Sequence, residues 1–151
     1  MADIVDPATR SRMMSAIRGA DTRPELLVRR HLHAAGFRFR LHARELRGRP
    51  DVVMPRWNAA VFVHGCFWHR HTGCRYATTP ATRPDFWREK FDRNMQRDAA
   101  TLATLEDEGW RVATVWECAL RREPAETLEA LAAWIGSGAP SCEFGAPITP
   151  P

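Results

Sequence analysis

The chain predicts an α/β fold, a central mixed β-sheet flanked by α-helices, on three observations. At 151 residues it is long enough for one domain with a sizeable core. Its apolar patterning switches between helical and strand periods in the order α-β-β-β-α-β-α. One strand-like run, Ala59 to Val63, is apolar at every position, as buried strands are.

The elements follow in order. Residues 1–20 are polar and basic (Arg10, Arg12, Arg18), with Met13, Met14 and Ile17 as apolar points, and read as an arm rather than core. Thr22-Arg-Pro-Glu25 has the form of a capping box, with proline in the first turn. Leu27, Val28, Leu32 and Ala35 continue it as an amphipathic helix that stops at Gly36. Phe37 to Leu41 alternates as a half-buried strand. After a turn at Gly48-Arg-Pro50, Asp51 to Met54 and then Ala59 to Val63 form two more strands, the second running into His64. Arg75 to Thr82 reads as loop. A long helix spans Pro84 to Gly109 with Phe91, Met95, Leu102 and Leu105 on one face. Trp110 to Trp116 is the next strand, ending at Glu117-Cys118, and Pro124 to Ile135 is a last helix with Leu128, Leu131 and Ile135 inward. The organisation expected is an arm (1–20), one domain (21–136) and a flexible tail (137–151).

A formal charge of +4 mildly favours a polyanionic partner. Lys90 is the only lysine among 22 basic residues; arginine suits phosphates and base edges, yet GC-rich coding produces the same skew. The N-terminus has no basic and apolar leader pattern, and no run approaches the length of a bilayer span. With four cysteines, a reduced, cytoplasmic protein with a metal site is expected.

The densest chemistry lies in His64-Gly-Cys-Phe-Trp-His-Arg-His-Thr-Gly-Cys74. Cys66, His71 and Cys74 have the residue types and close spacing of zinc ligands. A closed site needs a fourth. Cys118 follows one strand as Cys66 follows another, so parallel neighbouring strands bring them together; Cys142 in the tail is the weaker alternative, and a plain buried thiol is the other reading of Cys118. His64 and His69 are then left over for acid–base chemistry. Phe67 and Trp68 sit on the metal knuckle, where adjacent aromatics cannot both face one core, and an apolar wedge there suits insertion between base pairs. Trp87, four residues before Phe91, reads equally as core. Arg83, Arg88, Lys90, Arg93 and Arg97 suit phosphates or a solvated face. Gly-x-Pro-Asp51 followed by two apolar residues is the first half of a metal-dependent nuclease signature, in which the aspartate holds a hard divalent cation. The customary acid-x-Lys of the next strand is missing, which shifts acid–base work to His64 or His69. Glu25 is explained by helix capping on spacing alone.

Asp6-x-x-Thr-Arg-Ser11, Gly48-Arg-Pro-Asp51, His64-Gly-Cys-Phe-Trp-His69, Ala81-Thr-Arg, Phe86-Trp-x-x-Lys90, Gly109-Trp-Arg-Val112 and Val115-Trp-Glu-Cys-Ala-Leu-Arg121 together make the chain resemble the very short patch repair (Vsr-type) DNA mismatch endonucleases over nearly its whole length. The resemblance implies a restriction-endonuclease-like fold and Mg²⁺-dependent nicking of double-stranded DNA beside a T:G mismatch left by deaminated 5-methylcytosine. It implies Mg²⁺ on Asp51 and the Val63 main-chain carbonyl, and cleavage served by His64, His69 and, against the spacing-only reading, Glu25. It assigns Zn²⁺ to Cys66, His71, Cys74 and Cys118, the DNA-entering aromatics to Phe67, Trp68 and Trp87, and a minor-groove contact to Met14. The chain departs at Val63, where threonine is familiar, and at Thr72-Gly73 between two zinc ligands. A monomer acting near the nucleoid, in contact with mismatch-repair proteins, is the matching expectation. The competing reading is a zinc-stabilised DNA-binding module, or a nuclease without mismatch preference; Asp51 together with His64 favours the enzyme.

Overall fold

The computed structural model describes residues 22–145. Met14 and the 1–20 arm lie outside the described residues, as do the last six residues of the tail.

Helix α1 (Arg23–Ala34) starts where Thr22, in extended conformation, accepts the Glu25 N–H on its hydroxyl at 3.4 Å, an N-cap bond. It ends with Gly36 at φ +94 and the Phe37 N–H donating to the Leu32 carbonyl at 3.0 Å. That is a glycine-terminated C-cap of the kind that recurs at helix ends. The cap explains why the expected strand Phe37–Leu41 shrinks to β1 (Arg40–Leu41): Phe37 spends its amide on the helix. Phe37 and Phe39 pack on the core instead.

Strands β2 (Val52–Met54) and β3 (Ala59–His64) pair antiparallel around a 3₁₀ turn at Pro55–Trp57. Helix α2 (Pro84–Asp107) crosses back to β4 (Arg111–Trp116), which runs parallel to β3 with His64 opposite Trp116. The end of α2 repeats the glycine cap: Gly109 has φ +92 and the Trp110 N–H reaches Leu105 at 2.9 Å. A short helix α3 (Glu117–Arg122) and then α4 (Pro124–Ser137) follow. The sheet order is β1-β2-β3-β4-β5, mixed as expected.

β5 (Cys142–Phe144) corrects the reading of the whole tail as flexible. It adds to β4 in parallel, Ala113 opposite Cys142 and Val115 opposite Phe144. Without β5 that edge of β4 would present a row of unpaired peptide groups; β5 covers it, and Ser141 Oγ accepts the Val112 N–H at 2.9 Å just before the strand begins.

One sheet face packs Val52, Met54, Ala59, Val61, Ala113 and Val115 against Val28 and Leu32 of α1 and Leu128, Leu131 and Ile135 of α4. The other carries Phe62 and Val112 under Leu105 of α2. Met95, expected on the inward face, is instead 44% exposed. Its neighbours on the helix, Asn94 and Asp98, face the segment after β3 and leave Met95 to one side. Among the described residues no helix is long and apolar enough to cross a membrane.

Candidate active site and metal centre

Asp51 reaches its place through the turn before β2. Gly48 has φ +78, and a Cβ there would lie 2.5 Å from Thr101 Cγ2 of α2; only glycine meets both demands. Because Val52 pairs with Val61 in antiparallel register, Asp51 arrives beside the far end of β3. Its Oδ2 accepts the Val63 N–H at 2.7 Å. Burial, reinforced by the nearby Glu25 carboxylate and opposed by the Val63 hydrogen bond, raises the Asp51 carboxyl to about 7. Two buried carboxylates side by side make a site that favours a cation.

Glu25, only 3% exposed, belongs to this site despite its position in the helix cap. Its Oε2 lies 3.4 Å from Arg29 Nη2 and 3.8 Å from His42 Nε2. His42 in turn places Nδ1 3.8 Å from Asp51 Oδ1, so Glu25, His42 and Asp51 converge within metal-ligand range. The donors suit a hard divalent cation: carboxylate oxygens from two elements, with the end of β3 alongside. Sequence reasoning missed His42 and Arg29. A histidine in a short loop carries no periodic signal, and Arg29 is marked only by standing one helical turn after Glu25.

Within the same cleft, of about 1070 Å³, the His64 and His69 rings stack face to face at 3.8 Å and 3°. His64 ends β3, and the turn after it folds back so that the His69 N–H reaches the Gly65 carbonyl at 3.1 Å. His69 Nδ1 lies 2.6 Å from Asp98 Oδ2 of α2. Burial, and secondarily the neighbouring His69, depress His64 to about 3; it is neutral throughout the physiological range. Asp98 was also missed, though a signal existed. It stands seven residues from both Phe91 and Leu105, two of the three buried residues of α2, so an acid occupies the inward stripe of the helix.

Beyond the histidines, Cys66, His71, Cys74 and Cys118 bring one ligand atom each within 4.8 Å of one another. His71 Nδ1 lies 3.7 Å from Cys66 Sγ and 3.4 Å from Cys118 Sγ. Tetrahedral ligands at zinc distances stand roughly 3.5–3.8 Å apart, so the donor set fits Zn²⁺. The parallel β3–β4 pairing delivers Cys118 as expected. Burial pushes the Cys66 thiol up to about 12, with Cys118 adding to the shift; a bound cation reverses that preference. Cys142, the weaker alternative, sits on β5 opposite Ala113 and outside the cluster. His71 also stacks on Trp116 at 4.3 Å and 10°.

Phe67 and Trp68 meet edge to face at 4.9 Å and both pack near Trp87, at 5.9 Å each. Phe67 also touches Phe91 at 5.2 Å, so the pair leans on α2 as well as on the knuckle. All three named aromatics are half-buried. Arg70, in the left-handed region at φ +54, donates to the carbonyls of Ala77 and Thr78 at 3.0 and 2.7 Å. Its guanidinium covers Phe91 at 4.1 Å, clamping the loop that carries the aromatics.

Comparison with known proteins agrees with this geometry. Residues 2–75 match the family model described as DNA mismatch endonuclease Vsr. The DNA mismatch endonuclease Vsr of Escherichia coli is 45% identical over 144 residues, 92% of each chain. The type II nicking enzyme V.XorIIP of Xanthomonas oryzae pv. oryzae is 48% identical over 120 residues, 80% of this chain and 88% of that one. The type II nicking enzyme V.NmeAIP of Neisseria meningitidis is 40% identical over 123 residues, 82% of this chain and 87% of the relative.

Proposed function

This chain belongs to the Vsr family of DNA mismatch endonucleases and is a DNA-nicking enzyme, and from that premise we propose that it cuts one strand of duplex DNA beside a T:G mismatch, with Mg²⁺, and so starts very short patch repair of deaminated 5-methylcytosine. The observation that carries the reading is Asp51, seated on the Val63 amide, in one cleft with a histidine pair anchored by Asp98.

Asp51 and the Val63 carbonyl are the groups that would hold Mg²⁺, which when bound supplies positive charge beside the scissile phosphate. Glu25 adds a second carboxylate to that wall. His69 engages Asp98 through Nδ1, which leaves Nε2 to take a proton from the attacking water. Asp98 positions the ring and balances the charge that develops on it as the proton is transferred. In-line attack then leaves 5′-phosphate and 3′-hydroxyl ends. His64, depressed to about 3, is a poor proton acceptor; it stacks against His69 and donates a hydrogen bond to the phosphate. Exchanging the two histidine roles is the weaker assignment for that reason.

Cys66, His71, Cys74 and Cys118 would hold Zn²⁺ as a structural ion, pinning the segment that carries Phe67 and Trp68. Those aromatics, with Trp87, would fill the step opened beside a weakly stacked T:G pair, and Met14 would reach the minor groove. The protein is proposed to act as a monomer on nucleoid DNA in the cytoplasm, handing the nick to mismatch-repair proteins.

The test is a nicking assay on otherwise identical T:G and matched duplexes, with and without Mg²⁺. Mg²⁺-dependent nicking confined to the T:G duplex is expected. Equal nicking of both would reduce the enzyme to a nuclease without mismatch preference. Binding without cleavage of either would leave only a zinc-stabilised DNA-binding module.

A further inference from the structure

Four side chains from three elements meet at the carboxylate wall of the cleft, and two of them, Arg29 and His42, have no part in the reaction described above. Arg29 Nη2 stands 3.1 Å from His42 Nε2 and 3.4 Å from Glu25 Oε2. A guanidinium has donors only, so at this contact His42 Nε2 must be the acceptor. A neutral imidazole that accepts on one nitrogen carries its proton on the other. The proton of His42 therefore sits on Nδ1, the nitrogen that faces Asp51 Oδ1 at 3.8 Å.

That distance exceeds a hydrogen bond; a small ring rotation or a bridging water would close it. The backbone holds the ring at this distance from Asp51. His42 has φ +49, in the left-handed region, and its N–H donates to the Asp51 carbonyl at 3.3 Å. A non-glycine residue is kept in that conformation only where its surroundings demand it, and such residues cluster at functional sites.

We propose that Arg29 and His42 are positioning residues for the divalent-cation site: Arg29 fixes the tautomer of His42, and the Nδ1–H so placed fixes the plane of the Asp51 carboxylate, whose other oxygen is already held by the Val63 amide. The carboxylate is thereby oriented from both sides, and its remaining lone pairs are aimed into the cleft. Orienting partners behind metal ligands typically contribute 10–100-fold in metal affinity. This rests on the reading of Asp51 as the metal ligand.

Mn²⁺ is the probe, titrated by electron paramagnetic resonance into zinc-loaded protein without DNA, alongside thermal unfolding and nicking. Asp51→Asn must abolish the cleft Mn²⁺ site; Mn²⁺ binding unchanged in that variant would defeat the metal-ligand reading itself. His42→Ala should weaken Mn²⁺ binding by about tenfold or more and raise the Mn²⁺ needed for half-maximal nicking by a similar factor. His42→Gln should restore both to near the original values, because a carboxamide accepts from Arg29 with its oxygen and donates to Asp51 with its nitrogen. Arg29→Met should behave as His42→Ala. A purely structural role predicts that Mn²⁺ affinity follows the unfolding temperature in all these variants. The inference is overturned if Asp51→Asn loses the Mn²⁺ site while His42→Ala keeps it intact, or if His42→Gln is as weak as His42→Ala.

Discussion

At the scale of single residues, Asp51 and His64 stand in opposite electrostatic positions, and the pH dependence separates them. Asp51 is raised from 3.8 to about 7, so the folded protein holds its proton where the unfolded chain has released it. Its contribution is full below pH 4 and is lost as pH rises to about 7. His64 is lowered from 6.5 to about 3, so its contribution is full above pH 6.5 and is lost as pH falls. The two partly cancel between about pH 4 and 6.5. Asp51→Asn removes only the first, so without added Mg²⁺ its stability relative to the parent should rise from near zero at pH 4 to a plateau above pH 7. Urea unfolding at a series of pH values measures this; a flat difference would mean that the carboxyl is not buried against Glu25. The same variant should have no detectable nicking. For the histidine pair, His69→Ala should slow single-turnover nicking by roughly a hundred- to ten-thousand-fold. Asp98→Asn should slow it less, since the amide oxygen still accepts from Nδ1, and DNA affinity should be unchanged in both.

At the scale of elements, two devices place the chemistry. The first is the turn before β2. Gly48→Ala adds a methyl 2.5 Å from Thr101 Cγ2 at φ +78. It should cost about 1–3 kcal/mol and reduce nicking beyond the loss of folded protein, because α2 also carries Asp98. Chemical denaturation beside an activity assay normalised to folded protein gives the comparison. The second is the joint between β3 and β4, whose parallel ends supply Cys66 and Cys118. Cys118→Ser should release zinc and lower the melting temperature, as removal of a structural zinc ligand does. Retention of a full equivalent of zinc, measured by atomic absorption, would exclude Cys118 from the ligand set. The clamp formed by Arg70 belongs here too. Neither hydropathy nor spacing marks an arginine whose role is to satisfy two loop carbonyls while covering a phenylalanine.

At the scale of the whole molecule, the proposed function draws affinity and mismatch choice from different surfaces. Arginines on a chain of net charge +4 bind any duplex and weaken steeply with salt, whereas aromatic insertion is sensitive to how readily a base step opens. Replacing Phe67 and Trp68 together by alanine should shrink the preference for T:G over matched DNA, with roughly 1–3 kcal/mol carried by each stacked ring, and leave matched-duplex affinity nearly unchanged at fixed salt. Phe67 also packs on Phe91 and Trp87, so some thermal stability should be lost as well. An equal loss of affinity on both duplexes would mark these rings as packing residues.

By itself the sequence determined the alternation of helices and strands, both glycine stops, the cysteine and histidine donors clustered within the knuckle, and Asp51 with its paired histidines, because each is written in contiguous residues or in a local period. It pointed to Cys118 only on condition that two strands ran parallel side by side. The tertiary structure supplied that condition and decided everything that depends on elements distant in the chain. It turned the Glu25 carboxylate from a cap into part of the cleft wall, set Arg29 and His42 behind Asp51, and brought Asp98 across from α2 to His69. It also drew residues 142–144 onto the edge of β4. Those outcomes follow from backbone pairing and from the charge that burial brings together, and neither leaves a period in the sequence.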